Sequence, residues 1–287
     1  MKIVSFNVPK TSREALRVQI DKLPHFYNQL HEHTELQLTY VIKGEGTLVA
    51  GDYVGRFAPN EMYLLGSRQP HVFRNDESYY KSKRKIKAHS ISLYFDRSYL
   101  GEHFWELDDM KVAKDFLEKS KRGFKIVGKT KELLERELHQ LQKQKGIDRV
   151  ITFFETLKIL TVSNELTSLG ISQLAETFNP VEGKRMNDVI HFIFTQSHRK
   201  IYVREVAAIA NLSEEAFCRY FKIRTRKTFT HFLNEIRISN ACRLLQTKDI
   251  RISETCFKVG FTNLSQFNRV FKKITGKAPS SYLALAG

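Results

Sequence analysis

The stretch ISETCFKVGFTNLSQFNRVFKK, residues 252–273, decides how the C-terminal third of this chain folds. Ile252 to Val259 reads as a short helix, Gly260 supplies a turn, and Thr262 or Asn263 caps a second helix. In that second helix Phe267 and Phe271 stand at i, i+4 and must face inward, and Cys256 is a small residue where the first helix approaches closely. This is the punctuation of a helix-turn-helix. The frame recurs fifty residues upstream, where Phe217-Cys218-Arg219-Tyr220-Phe221-Lys222 matches Phe267-Asn268-Arg269-Val270-Phe271-Lys272. VREVAAIANLS, residues 203–213, precedes that copy, with Ala207 at the position of Cys256, Asn211 at the turn and Ser213 as the cap. A single match of this kind arises often by chance, whereas a duplicated one in a basic segment is specific.

Between the copies, TFTHFLNEIRISNACRLLQT places Phe229, Phe232, Leu233, Ile236, Leu244 and Leu245 on one broad face, which predicts one amphipathic helix. Its nineteen or so residues span about 28 Å at 1.5 Å per residue, comparable to the roughly 34 Å between successive major-groove faces of B-DNA. The outward face of the first unit then holds Glu215, Cys218, Arg219 and Lys222, and that of the second Leu264, Ser265, Asn268, Arg269 and Lys272. Arg219 has the fork that pairs with a guanine edge, although a phosphate contact or an internal salt bridge also suits it. Glu215 either accepts from a cytosine amino group or is solvated. Asn268 suits adenine and Leu264 a thymine methyl, while Lys222, Lys272 and Lys273 read as phosphate contacts.

Charge agrees with a polyanionic partner for this segment. The 287 residues carry 47 Lys and Arg against 31 Asp and Glu, and between Arg185 and Gly287 the basic residues number 18 against 7 acidic. Each phosphate neutralised by such residues releases counterions and adds affinity. With 41% apolar residues, 21 Phe and 11 Tyr, the chain can bury its cores, which excludes wholesale disorder. The N-terminus lacks an apolar signal region and no stretch approaches the roughly 20 apolar residues that span a bilayer, so a cytoplasmic protein is expected. Cys218, Cys242 and Cys256 form no CxxC pair and are odd in number, so they read as reduced, mostly packed thiols.

Ahead of the basic third, residues 37–74 read as short β-rich runs punctuated by Gly, Asp, Pro and Asn, as in a small sandwich or barrel. Ala88 to Phe95 adds a strand with His89, Ile91, Leu93 and Phe95 on one face. The periodicity then turns helical, with Leu134, Leu138 and Leu141 in one stripe and Phe153, Leu157 and Leu160 in the next. The leucine stripe either pairs two copies about a two-fold axis or packs on the chain's own β domain. A polar stretch ending Phe178-Asn179-Pro180-Val181-Glu182-Gly183 reads as a linker. The run KSKRKIK, Lys81 to Lys87, is either a contact for DNA or an acidic partner, or a solvated loop.

The residues from Ile252 to Leu283 resemble the signature of the AraC/XylS transcription regulators. The resemblance covers roughly Met186 to Leu283 and includes Gly260-Phe261, Phe267, Arg269-Val270-Phe271-Lys272-Lys273, Gly276, Pro279 and Tyr282. Cys256 stands where that family usually has Ala. The resemblance implies two helix-turn-helix units joined by a long helix. It also implies base-facing roles for Glu215, Cys218, Arg219, Leu264, Ser265, Asn268 and Arg269. Promoter DNA, a small-molecule effector, RNA polymerase and a second copy of the chain are the partners that follow, with activation as the expected sign.

In HEHTELQLTYVIKGEG, residues 31–46, His31, His33, Glu35 and Gln37 share one face of an extended chain and Leu36, Leu38, Tyr40 and Ile42 the other. This run resembles the first motif of a cupin barrel, with Pro59, Pro70-His71 and Asn75 as remnants of the second. Cupin enzymes hold a metal with such histidines and a glutamate. Here Gln37 stands where the liganding Glu is expected, and Asn60-Glu61 follow Pro59 in place of the usual turn. A metal-free sensor is therefore expected, with His31, His33, Gln37 and His71 in its pocket and no cofactor, metal site or catalytic residue. The expectation is an α+β chain of two domains. A cupin-like jelly-roll barrel spans residues 1–105, a helical dimerisation segment and linker 106–184, and an all-α double helix-turn-helix 185–287. A metal-dependent cupin enzyme fused to a DNA-binding module, and a nucleic-acid binder without an operator, are the alternatives.

Overall fold

Alternation of apolar and polar residues builds the first unit. Among the residues that the computed structural model describes, 16–81, 87–170, 180–246 and 250–284, nine strands form two sheets. The larger is antiparallel, in the order β1 (Leu16–Leu23), β7 (Ala88–Phe95), β2 (Leu36–Lys43), β5 (Glu61–Leu65), β8 (Phe124–Ile126) and β9 (Leu166–Ser168). The smaller runs β4 (Tyr53–Phe57), β3 (Gly46–Ala50), β6 (His71–Asn75). Leu38 of β2 lies opposite Leu93 and Leu64, and Tyr40 opposite Ile91 and Met62, so one face of the large sheet is a continuous apolar surface. The period of two sends Gln37, Thr39, Val41, Ser90 and Ser92 to the other face, toward a second core made of Leu48, Ala50, Phe57, Tyr63, Leu65 and Phe73.

Helices cover the first face. After the short α1 (Glu77–Tyr80) and α2 (Glu102–Trp105), α3 (Lys111–Lys119), α4 (Gly128–Lys143) and α5 (Gly146–Val162) carry apolar stripes. Leu134, Leu138 and Leu141 of α4 and Phe153, Leu157 and Leu160 of α5 are buried in one core with Leu38, Met62, Ile91 and Leu93. Of the two uses open to the leucine stripe, packing within its own unit is the one seen.

The expected closed barrel is not formed: the two sheets are open. Outside the named strands, His31 in the segment ahead of β2 makes an isolated bridge to His71 of β6. β1 also lies ahead of the strands read from sequence; the alternation Leu16, Val18, Ile20 against Arg17, Gln19, Asp21 was its signal. Residues 82–86 of the basic run, and the linker residues up to Asn179, lie outside the described residues. Helix α6 (Pro180–Gln196) opens on the proline, which suits a first helical turn, so the segment read as linker through Gly183 is already helical.

The second unit begins near residue 179. After α6 come α7 (Val203–Ile209), α8 (Glu214–Thr225), α9 (Phe229–Gln246), α10 (Ile252–Lys258), α11 (Leu264–Thr275) and α12 (Pro279–Ala284). Helix α9 is buried on more than one face, unlike the one-sided helix that the sequence pattern predicts. At its start Phe229 and Phe232 meet Phe217 and Phe221 of α8, with ring centroids 5.4–5.9 Å apart. Toward its end Ile238, Ala241, Cys242 and Leu245 pack with Cys256, Phe267 and Phe271. One helix is thus the common core of both helix-turn-helix units, which needs apolar residues all round.

Candidate functional site

Each helix-turn-helix is set by local chemistry. The side chain of Ser213 accepts from the Ala216 amide at 3.3 Å and opens α8, and that of Asn263 accepts from the Gln266 amide at 2.9 Å and opens α11. Of the two capping residues offered by the second unit, Asn263 is the one used. The turns need positive φ, which Asn211 adopts at 54° and Gly260 at 94°.

Burial of the paired phenylalanines fixes the rotation of both second helices. Phe217 and Phe221 lie 5.5 Å apart between ring centroids, Phe267 and Phe271 5.6 Å, and all four are fully buried. At about 100° per residue the opposite side carries Glu215, Arg219 and Lys222 in α8 and Ser265, Arg269 and Lys272 in α11. Cys218, Leu264, Asn268 and Lys273 flank those rows, and all ten residues are exposed. Arg269 and Lys273 also line a shallow groove of about 230 Å³ against His231 and Asn234 of α9. Each second helix therefore presents an arginine and a lysine to solvent at matching places, with polar neighbours able to reach base edges or phosphates. Cys242 and Cys256 are buried thiols, as expected, whereas Cys218 is exposed on this surface.

The N-terminal unit holds a cavity of about 210 Å³. His31, Gln37 and His71 line it; His33 does not, and is bonded instead to Gln37, with Nε2 3.0 Å from Oε1. Beside apolar residues such as Phe26 and Phe73, the wall includes polar residues that the sequence reading passed over: Gln19 and Asp21 of β1, Thr39 of β2, and Ser90, Ser92 and Tyr94 of β7. Their signal was the polar half of strands read for their apolar half. Gln37 donates to Thr39 Oγ1 at 2.7 Å, and Thr39 shares a hydrogen bond of 2.8 Å with Ser92. Gln19 donates to Asp21 Oδ1 at 2.9 Å. Burial raises the Asp21 carboxyl above its ordinary value and holds the Tyr94 phenol well above its own. It lowers His31 to about 4 and His71 well below 6.5, so both rings are neutral at neutral pH.

Comparison with known proteins agrees with the helical unit. A family profile described as a helix-turn-helix domain matches residues 206–284. The HTH-type transcriptional regulator YdeC of Bacillus subtilis is 21% identical over 277 residues, covering 89% of this chain and 86% of its own. The Msm operon regulatory protein of Streptococcus mutans is 21% identical over 243 residues, covering 85% and 82%. The MmsAB operon regulatory protein of Pseudomonas aeruginosa is 33% identical over 103 residues, 35% of this chain and 33% of its own. These relatives are regulators by name, and none of the three is named as an enzyme. With two capped helix-turn-helix units built on one shared helix, this chain carries a C-terminal helix-turn-helix domain of the AraC type and is similar to transcriptional regulators over most of its length.

Proposed function

We propose that the chain is a one-component regulator whose α8 and α11 read promoter DNA and whose N-terminal unit, a cupin-like sensor, binds a small-molecule effector. The observation that carries the DNA half is the matched exposure of Arg219 with Lys222 and of Arg269 with Lys272, opposite buried phenylalanine pairs. Arg219, Arg269, Glu215, Cys218, Leu264, Ser265 and Asn268 face bases in this reading, while Lys222, Lys272 and Lys273 neutralise phosphates. Helix α9, with 18 residues, is about 27 Å long at 1.5 Å per residue, which suits entry of both second helices into successive major grooves.

The effector half rests on the cavity between strands, a wall of hydroxyl, amide and imidazole groups around Phe26 and Phe73. His31, Gln37 and His71 contact the effector and His33 positions Gln37. The effector acts by binding two domain arrangements unequally. Activation through RNA polymerase, action as a homodimer and a cytoplasmic location belong to the same reading.

The experiment is fluorescence anisotropy of the full-length chain on DNA from upstream of its own gene and on a scrambled duplex, at two salt concentrations. Tighter binding to the native duplex that persists at the higher salt is the expected result. Equal, salt-labile binding to both duplexes would make the chain a general nucleic-acid binder.

A further inference from the structure

Hydrogen bonds around the N-terminal cavity engage donor atoms and leave acceptors over. The Gln19 amide donates to Asp21 Oδ1 at 2.9 Å, that of Gln37 to Thr39 Oγ1 at 2.7 Å, and the Tyr27 hydroxyl to Gln29 Oε1 at 3.0 Å. His71 Nδ1 lies 2.8 Å from the Gln69 carbonyl oxygen, which only accepts, so this neutral ring donates there and keeps its lone pair at Nε2. Gln19 Oε1 and His71 Nε2 are buried without a hydrogen-bond partner among the described residues, and Asp21 adds a carboxylate to the wall.

Charge points the same way. Among the described residues no lysine or arginine lines the cavity, and His31 and His71 are neutral at neutral pH, so Asp21 is the charged group of the wall. Burial raises its carboxyl above the ordinary 3.8, outweighing the bonds from the Gln19 amide and the Ser90 hydroxyl and, last, the charge of Arg17, which lies outside the wall. A charge whose burial outweighs its partners is relieved by a cation brought from outside. A carboxylate ligand would meet a like charge and would have no proton to donate. Phe26 and Phe73, 6.1 Å apart between ring centroids, give the cavity an apolar side, and aromatic rings attract an ammonium.

We infer that the cavity takes a small organic amine, its ammonium seated against the Asp21 carboxylate with Gln19 Oε1 as a second acceptor, and its apolar body against Phe26 and Phe73. This rests on the reading of the cavity as the effector site. A primary ammonium carries three donors and no acceptor, the complement of what the wall leaves over. A polyol also supplies donors but leaves the charge of the carboxylate unpaired. His71 Nε2, in β6 of the smaller sheet, accepts from a second donor where the body carries one. At about 210 Å³ the cavity lies below the roughly 300–1,000 Å³ of drug-sized pockets, so the amine is a small one.

The test titrates the full-length chain with 2-phenylethylamine, 2-phenylethanol and 3-phenylpropanoate by calorimetry, so that similar bodies carry a positive, a neutral and a negative head, and repeats the DNA anisotropy with the amine present. The amine should bind about tenfold or more tighter than the alcohol, with the carboxylate weakest. Asp21→Asn should remove that preference, and the exposed control Asp109→Asn should keep it. If Asp21→Asn does not fold, Gln19→Met takes its place and should weaken the amine several-fold. Amine binding that depends on Asp21 but leaves DNA affinity unchanged would uphold the amine site and remove the effector reading. Alcohol or carboxylate bound as tightly as the amine, an undiminished preference in Asp21→Asn, or no saturable binding of the amine at millimolar concentration overturns the inference, while the effector reading stands for ligands of another class.

Discussion

Arg237 of α9 donates through Nε to the carbonyl oxygen of Ser197, 2.9 Å away, and through Nη2 to that of Arg199 at 2.6 Å. Both acceptors lie in the segment between α6 and α7, and the guanidinium sits 5.5 Å from the ring centroid of Phe261 in the second helix-turn-helix. Burial lowers its pKa to about 10, so it stays charged at neutral pH. The residue clamps the entrance of the first DNA-binding unit to the turn of the second. Arg237→Met keeps the stem but leaves two carbonyls unpaired, and should lower unfolding free energy by about 2–3 kcal/mol in urea denaturation. A loss no larger than that of an exposed substitution would show the clamp to be idle.

The same carbonyl limits the turn. A Cβ on Gly260, whose φ is +94°, would stand 2.3 Å from the Ser197 oxygen. Gly260→Ala should therefore cost more than the roughly 1–2 kcal/mol of a left-handed backbone alone. Because the two residues share Ser197, the loss in Arg237→Met with Gly260→Ala should fall short of the sum of the single losses. Strict additivity in a denaturation cycle would separate the two contacts.

Arg269→Ala should narrow the gap between operator and scrambled duplex by about 1–3 kcal/mol if its fork reads a base. Lys272→Ala should weaken both duplexes alike and reduce the salt slope by about one. Anisotropy on the two duplexes checks both. A selective effect at Lys272 with a uniform one at Arg269 would mean that the helix is rotated from the facing described above.

The second unit was legible because its signals are local. Ser213, Asn211, Gly260 and the repeated phenylalanines specify caps, turns and facing within a few residues of themselves. Helix α9 was found but its environment was misread, since Glu235 and Arg237 look like a solvent face and are buried only because two units pack around them. The cavity was half legible. His31, Gln37 and His71 stood out, whereas Asp21, Ser90 and Ser92 reach it through the pairing of β1 with β7, a contact some seventy residues apart that no local pattern encodes. Closure of a barrel depends on how strands register at the sheet edges, which alternation leaves unspecified.

Leu138 is 0% exposed, within the core shared by α4, α5 and the large sheet. Leu138→Ala should destabilise the N-terminal unit by about 2–5 kcal/mol, from lost transfer energy and a residual cavity. Sedimentation of the folded variant should match the parent at equal concentration, because the side chain has no surface to offer a second copy. Dissociation of a parent dimer by this substitution, without loss of stability, would return the leucine stripe to an interface.

Asp21 provides a dependence on pH whose sign follows from its environment. Burial raises its carboxyl above the ordinary 3.8, offset in part by the Gln19 amide, the Ser90 hydroxyl and the charge of Arg17, and Tyr94 faces it from β7. A raised acid favours folding in its protonated form. Its contribution is complete below the unfolded value and is lost as pH rises through the folded one. Asp21→Asn keeps an oxygen for Gln19 and removes the buried charge, so the variant should be the more stable at neutral pH. Its advantage should fade as pH falls toward 4, which thermal melts of parent and variant across that range will show. An advantage that is constant with pH would place the effect in packing, and a variant less stable at neutral pH would mean that the charge on Asp21 is held by partners stronger than its burial.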